Sequence, residues 1–96
     1  MANEALRGMI IEFLYCIYPS IVMELDIISI FYQYHRDDDI RKSLAFLVDK
    51  GYVHMDEKPH PVRRFEKQHF YKLTADGVQI AECTKRDNSV IPEGCQ

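Results

Sequence analysis

Four cations, Lys58, Arg63, Arg64 and Lys67, crowd a short stretch that also carries Pro59 and Pro61 and a single carboxylate, Glu66. Guanidinium and ammonium groups on an extended segment suit anion binding, and a regularly repeating anion that such a segment can follow is a phosphate backbone. The opposite chemistry is offered by Asp37-Asp38-Asp39. Three carboxylates in a row could attract a divalent cation, but the alternating ligands and distal glutamate of a calcium loop are missing. Capping of a helix start, where free backbone N–H groups and the positive end of the helix dipole favour carboxylates, is the stronger reading. His35, His54, His60 and His69 are dispersed, and Cys16, Cys83 and Cys95 form no CxxC pair and have no histidine at ligand spacing. This pattern predicts no bound metal or cofactor, and cysteines that serve as packing or surface thiols in a reducing compartment. A phosphate-cradling glycine loop, a nucleophile elbow and a His-Glu-x-x-His motif are all absent from the sequence, so no enzyme activity is expected.

The distribution of charge says more than its total. The chain of 96 residues has a formal net charge of −3. Residues 1–57 hold 5 Lys/Arg against 10 Asp/Glu, residues 58–72 hold 5 against 1, and residues 73–96 hold 2 against 4. Positive charge is therefore concentrated in one segment of an acidic chain. The length fits one domain, and no apolar run approaches the roughly 20 residues of a membrane helix. With no apolar leader at the N-terminus, these features predict a soluble, cytoplasmic protein.

The elements that position these groups follow from periodicity. Asn3 to Ile17 reads as a first helix, with Leu6, Met9, Ile10, Phe13, Leu14 and Ile17 on one stripe and Pro19 ending it. A second stripe, Ile11, Tyr15 and Tyr18, lies apart from the first. It is either a face for a partner, with a homodimer as the expected assembly, or the seat of the C-terminal segment. Ile21-Val22 suits a brief strand. Glu24 to Tyr34 reads as a second helix with Ile27, Ile30, Phe31 and Tyr34 inward. A helix opening at the aspartates turns Ile40, Leu44, Leu47 and Val48 to the core and presents Asp38, Lys42, Ala45, Phe46 and Asp49. Gly51 is placed to close it, and Tyr52 to Met55 has strand character. After the basic loop of residues 58–68, His69 to Leu73 returns as the antiparallel partner, with Phe70 or Tyr71 and Leu73 touching the core by alternation. Thr74 caps a short final helix ending near Cys83, and residues 84–96 read as a loosely ordered tail.

The series Leu44-x-x-Leu47-Val48-Asp49-Lys50-Gly51-Tyr52-Val53, followed by Tyr71-Lys72-Leu73-Thr74-Ala75-Asp76-Gly77, resembles winged helix-turn-helix DNA-binding proteins, among them small stand-alone bacterial and phage domains. The resemblance spans roughly Glu4 to Glu82. It implies an α+β, mainly α fold: a three-helix core, a short β-hairpin wing and a short C-terminal helix over residues 1–83. It further implies a recognition helix over Asp38 to Lys50 in a major groove, with Arg41 and Lys42 near base edges or flanking phosphates, and a wing whose Lys58, Arg63, Arg64 and Lys67 clamp the backbone. The expected function is sequence-specific binding of double-stranded DNA in transcriptional regulation. The alternative is a winged-helix adaptor that binds a protein through Phe46 and the acidic helix face.

Overall fold

The structure, a computed structural model, describes residues 3–95. Helix α1 (Glu4–Cys16) is followed by a two-residue strand β1 (Val22–Met23), helix α2 (Glu24–Phe31) and helix α3 (Asp37–Asp49). Strands β2 (Val53–Pro59) and β3 (Lys67–Leu73) form the hairpin, and helix α4 (Ala75–Ala81) precedes a final 3-10 turn (Glu93–Cys95). Among the described residues the sheet has the order β1-β3-β2 and is antiparallel throughout. Val53 pairs with Leu73, and the ladder runs out to Pro59 opposite Lys67. The hairpin is thus longer, and its loop shorter, than the prolines suggest: Pro59 takes the last pair, where its missing N–H costs no internal rung. Lys58 accordingly stands on a strand rather than in the loop.

One core joins all four helices to the sheet. Leu6, Ile10, Ile11 and Leu14 of α1, Ile27 of α2, Ile40, Leu44 and Leu47 of α3, Val53, Tyr71 and Leu73 of the hairpin and Ile80 of α4 are buried in it. The alternation of β3 resolves in favour of Tyr71 and Leu73, since side chains two apart share a face. The junction after α3 is fixed by three residues. Gly51 adopts φ 83°, a left-handed conformation that a side chain would oppose. Thr74 donates its hydroxyl proton to the Gly51 carbonyl at 2.7 Å, and the same oxygen accepts the Gly77 N–H at 3.1 Å. One side chain therefore caps α4 and ties it to the end of α3.

Four expectations are corrected. Helix α2 stops at Phe31, so Tyr34 lies beyond its helical register and is 83% exposed, and Ile30 also faces solvent. Ile11 is fully buried. What covers its side of α1 is α4 together with the segment after it, which is no loose tail: Val90 enters the core, the Ile91 N–H donates to the Glu4 carbonyl at 3.1 Å, and the Glu93 N–H donates to Glu12 at 2.8 Å. Gly8 admits this strap, because a Cβ there would collide with the backbone of Ile91 and Pro92. Finally, Cys83 and Cys95 are not free thiols but a disulfide, with Cα atoms 5.6 Å apart; Cys16 is free and exposed.

Candidate nucleic-acid interface

Arg41, Lys42, Lys58, Arg63, Arg64 and Lys67 are all exposed. Helix α3 and the wing meet at one carboxylate. Glu24, at the start of α2, accepts a hydrogen bond from the Tyr71 hydroxyl at 3.1 Å, and its carboxylate lies 3.9 Å from Arg41 Nε and 3.7 Å from His69 Nδ1. The Glu24 side chain is 19% exposed. Burial, and then the charge and hydrogen bond of Glu24, push the Tyr71 phenol well above its usual range, so it stays a donor. Next to this junction a cleft of about 280 Å³ is lined by Glu24, Leu25, His60, Arg63, Lys67 and His69 among others. Helix-borne Arg41 and the wing cations Arg63 and Lys67 thereby share a side of the molecule.

Carboxylates accompany several of these cations. Arg41 Nη1 reaches Asp37 at 3.2 Å, Lys67 reaches Glu57 at 3.2 Å, and Arg63 reaches Glu66 at 3.5 Å. Such exposed pairs contribute little to stability and give way readily to phosphate. Lys58 lies over the Phe70 ring, 5.1 Å from its centroid. Asp37, Asp38 and Asp39 occupy the first turn of α3 as expected, but the cap position falls to Arg36 and no side chain caps the helix; the Asp38 N–H donates to Asp37 at 2.9 Å.

The residues chosen as a partner interface fare differently. Ile11 is inside the core, Tyr15 donates its hydroxyl to Glu82 at 2.8 Å, and Tyr18 is 41% exposed. The stripe therefore does not form a continuous apolar surface. Phe46 is half-buried against the core, and the Arg7 guanidinium covers its ring at 3.8 Å, so it is no open anchor on the presented face. The periodicity of α3 alone could not show this, since the covering group comes from α1.

Sequence reasoning missed a polar node behind α3. Asp87 of the strap accepts the Tyr52 hydroxyl at 2.5 Å, the Ser89 hydroxyl at 2.5 Å and the Ser89 N–H at 2.9 Å, and pairs with Lys50 at 3.1 Å. Burial alone would raise the Asp87 carboxyl; the Ser89 and Tyr52 hydroxyls, the Ser89 N–H and Lys50 together hold it well below the usual carboxylate range. Burial first, and then the bond to Asp87, push Tyr52 up to about 12. The node holds the end of α3 to the strap. Among the described residues no group of three or more His, Cys, Asp or Glu side chains could hold a metal ion, and no helix is long and apolar enough to cross a membrane.

No family model matches the chain, and no curated protein matches it in sequence. Among solved structures it is similar to Bacillus subtilis PadR in complex with operator DNA, with a TM-score of 0.67 and 21% identity over 95% of this chain and 52% of that one. The chain thus spans about half the length of the PadR chain it matches. At 21% identity the likeness establishes architecture alone: among the described residues, four helices and a three-stranded antiparallel sheet arranged as a winged helix.

Proposed function

We propose that the chain binds double-stranded DNA sequence-specifically and regulates transcription, without enzymatic activity. Helix α3 offers Arg41 and Lys42 to a major groove, and the hairpin offers Lys58, Arg63, Arg64 and Lys67 to the flanking phosphates. The observation that carries this reading is the convergence at Glu24, which sets Arg41 of α3 beside the wing root. The similar PadR structure is itself a complex with operator DNA, which supports the same partner here. The reading includes a cytoplasmic location. The feature at odds with it is the Cys83–Cys95 bond, because cytosolic thiols are kept reduced. A homodimer remains part of the proposal, but of the expected stripe the exposed side chains are Tyr15 of α1 and Tyr18 just after it.

A titration of the chain against mixed-sequence duplex DNA at several salt concentrations tests this. Log affinity should fall linearly with log salt, by about 0.9 for each phosphate neutralised. Absence of binding at low salt would overturn the reading.

A second reading, a winged-helix adaptor for a protein partner, is favoured by the acidic opening of α3, where Asp37, Asp38 and Asp39 repel phosphate. Tyr32 and Tyr34, 68% and 83% exposed just before that turn, supply aromatic surface of the kind that anchors protein interfaces.

A further inference from the structure

The tip of the wing is a fixed structure with an apolar end. The His60 N–H donates to the Glu66 carbonyl at 2.9 Å, and the Glu66 N–H donates to the Arg63 carbonyl at 2.8 Å. Inside this turn His60 Nδ1 accepts the N–H groups of Val62 and Arg63 at 3.1 and 3.0 Å. Backbone groups that would otherwise need water or a partner are thus satisfied within the tip itself. The same turn leaves Val62 83% exposed and Phe65 wholly exposed. The ring of Phe65 makes no contribution to the core, so its place in a polar, cationic loop asks for another explanation. Arg63 and Arg64 precede it and Lys67 follows it.

Two apolar residues are far too few for a stable protein interface, which takes roughly 800 Å² from each partner, or for a membrane-surface helix. The surrounding cations complement phosphate, and base steps within a phosphate-lined groove accept a single apolar side chain. Resting on the DNA-binding reading above, we propose that Phe65 is a wedge: it inserts between adjacent base pairs from the minor groove, while Arg63 and Arg64 hold the phosphates on either side, and the duplex is kinked. Val62 then lies against the sugar edges. Pyrimidine–purine steps unstack most readily, so the wedge selects such a step through deformability rather than through base hydrogen bonds.

The test uses the full chain and a duplex of about 30 base pairs, with a central TA step, end-labelled for energy transfer and carrying 2-aminopurine at that step. On binding, end-to-end transfer should rise and 2-aminopurine fluorescence should increase. Phe65→Ala, which removes a fully exposed ring and leaves the circular dichroism unchanged, should abolish both signals, keep the salt slope and weaken affinity about tenfold. Phe65→Leu should retain part of the bend. A parent protein that binds with the expected salt slope but does not bend the duplex, or a Phe65→Ala variant that bends it as well as the parent, overturns the wedge and leaves the phosphate-gripping reading standing. A parent that fails to bind duplex at low salt overturns both.

Discussion

Residues 60–66 at the tip of the wing and residues 84–95 after α4 are both polar, proline-containing stretches without periodicity, yet the first leaves Val62 and Phe65 in water and the second carries Val90 into the core. The difference lies in where their backbone hydrogen bonds go. The tip closes on itself through His60, Glu66 and Arg63. The strap closes some bonds within itself, as Val90 and Ser89 do on Asp87, but it also bonds to other elements: the Ile91 N–H donates to Glu4, the Glu93 N–H donates to Glu12, and the Ser89 carbonyl accepts from the guanidinium of Arg7. An aperiodic stretch is therefore structural or presented according to its partners, and a partner can be as small as the missing side chain of Gly8.

The comparison breaks most readily at Gly8. Gly8→Val drives side-chain atoms into the Ile91 and Pro92 backbone, and overpacking at so confined a point should cost about 3 kcal/mol, read as a lower urea midpoint. Loss of the clasp comes next. The disulfide closes a loop of sequence separation 12, and replacing both Cys83 and Cys95 by serine should cost about 2 to 3 kcal/mol. If the double serine variant melts like the parent, the strap is held by its packing alone.

Asp87 gives a smaller effect with a pH signature. Its folded-state value is depressed, so the stability it contributes is present above its ordinary value of 3.8 and is lost as pH falls through the folded-state value. Urea midpoints should be insensitive to this group between about pH 5 and 7 and decline below about pH 4. Asp87→Asn should flatten that acid decline. Least affected should be the tip: Val62→Ser removes a mostly exposed side chain and should change stability by less than about 0.5 kcal/mol.

Much of this arrangement was legible in the sequence where a period governs it. Helix α3 begins at the aspartates and is closed by the left-handed Gly51 that follows it, with Ile40, Leu44 and Leu47 inward, because one 3.6-residue stripe faces one core. The pairing of the hairpin followed from its β-prone segments, whereas alternation left Phe70 or Tyr71 open beside Leu73 until the fold turned Tyr71 inward. Three features depend on packing between distant segments and left no local pattern. The stripe of Ile11 left two readings open, a partner face or the seat of the C-terminal segment, because the strap has no stripe of its own; the structure takes the second for Ile11. Phe46 looked presented because Arg7 reaches it from another helix. Cys83 and Cys95 carry no recognisable spacing, and only the fold brings them together. For the candidate interface, the exposed cations of the wing were readable from composition; the convergence at Glu24 was not, since it joins three elements through one buried-edge carboxylate.

The central claim is that the wing grips phosphate, and the measurement that tests it most directly is the salt dependence of duplex binding by the parent and by Arg63→Glu with Arg64→Glu. Both arginines are exposed on a tip that supports none of the core, so the double variant should fold like the parent by circular dichroism. Its affinity should collapse for every duplex sequence, and its salt slope should flatten by about 0.9 for each phosphate that the wing no longer neutralises. A folded double variant that binds duplex DNA as tightly as the parent, with the same slope, would contradict the account.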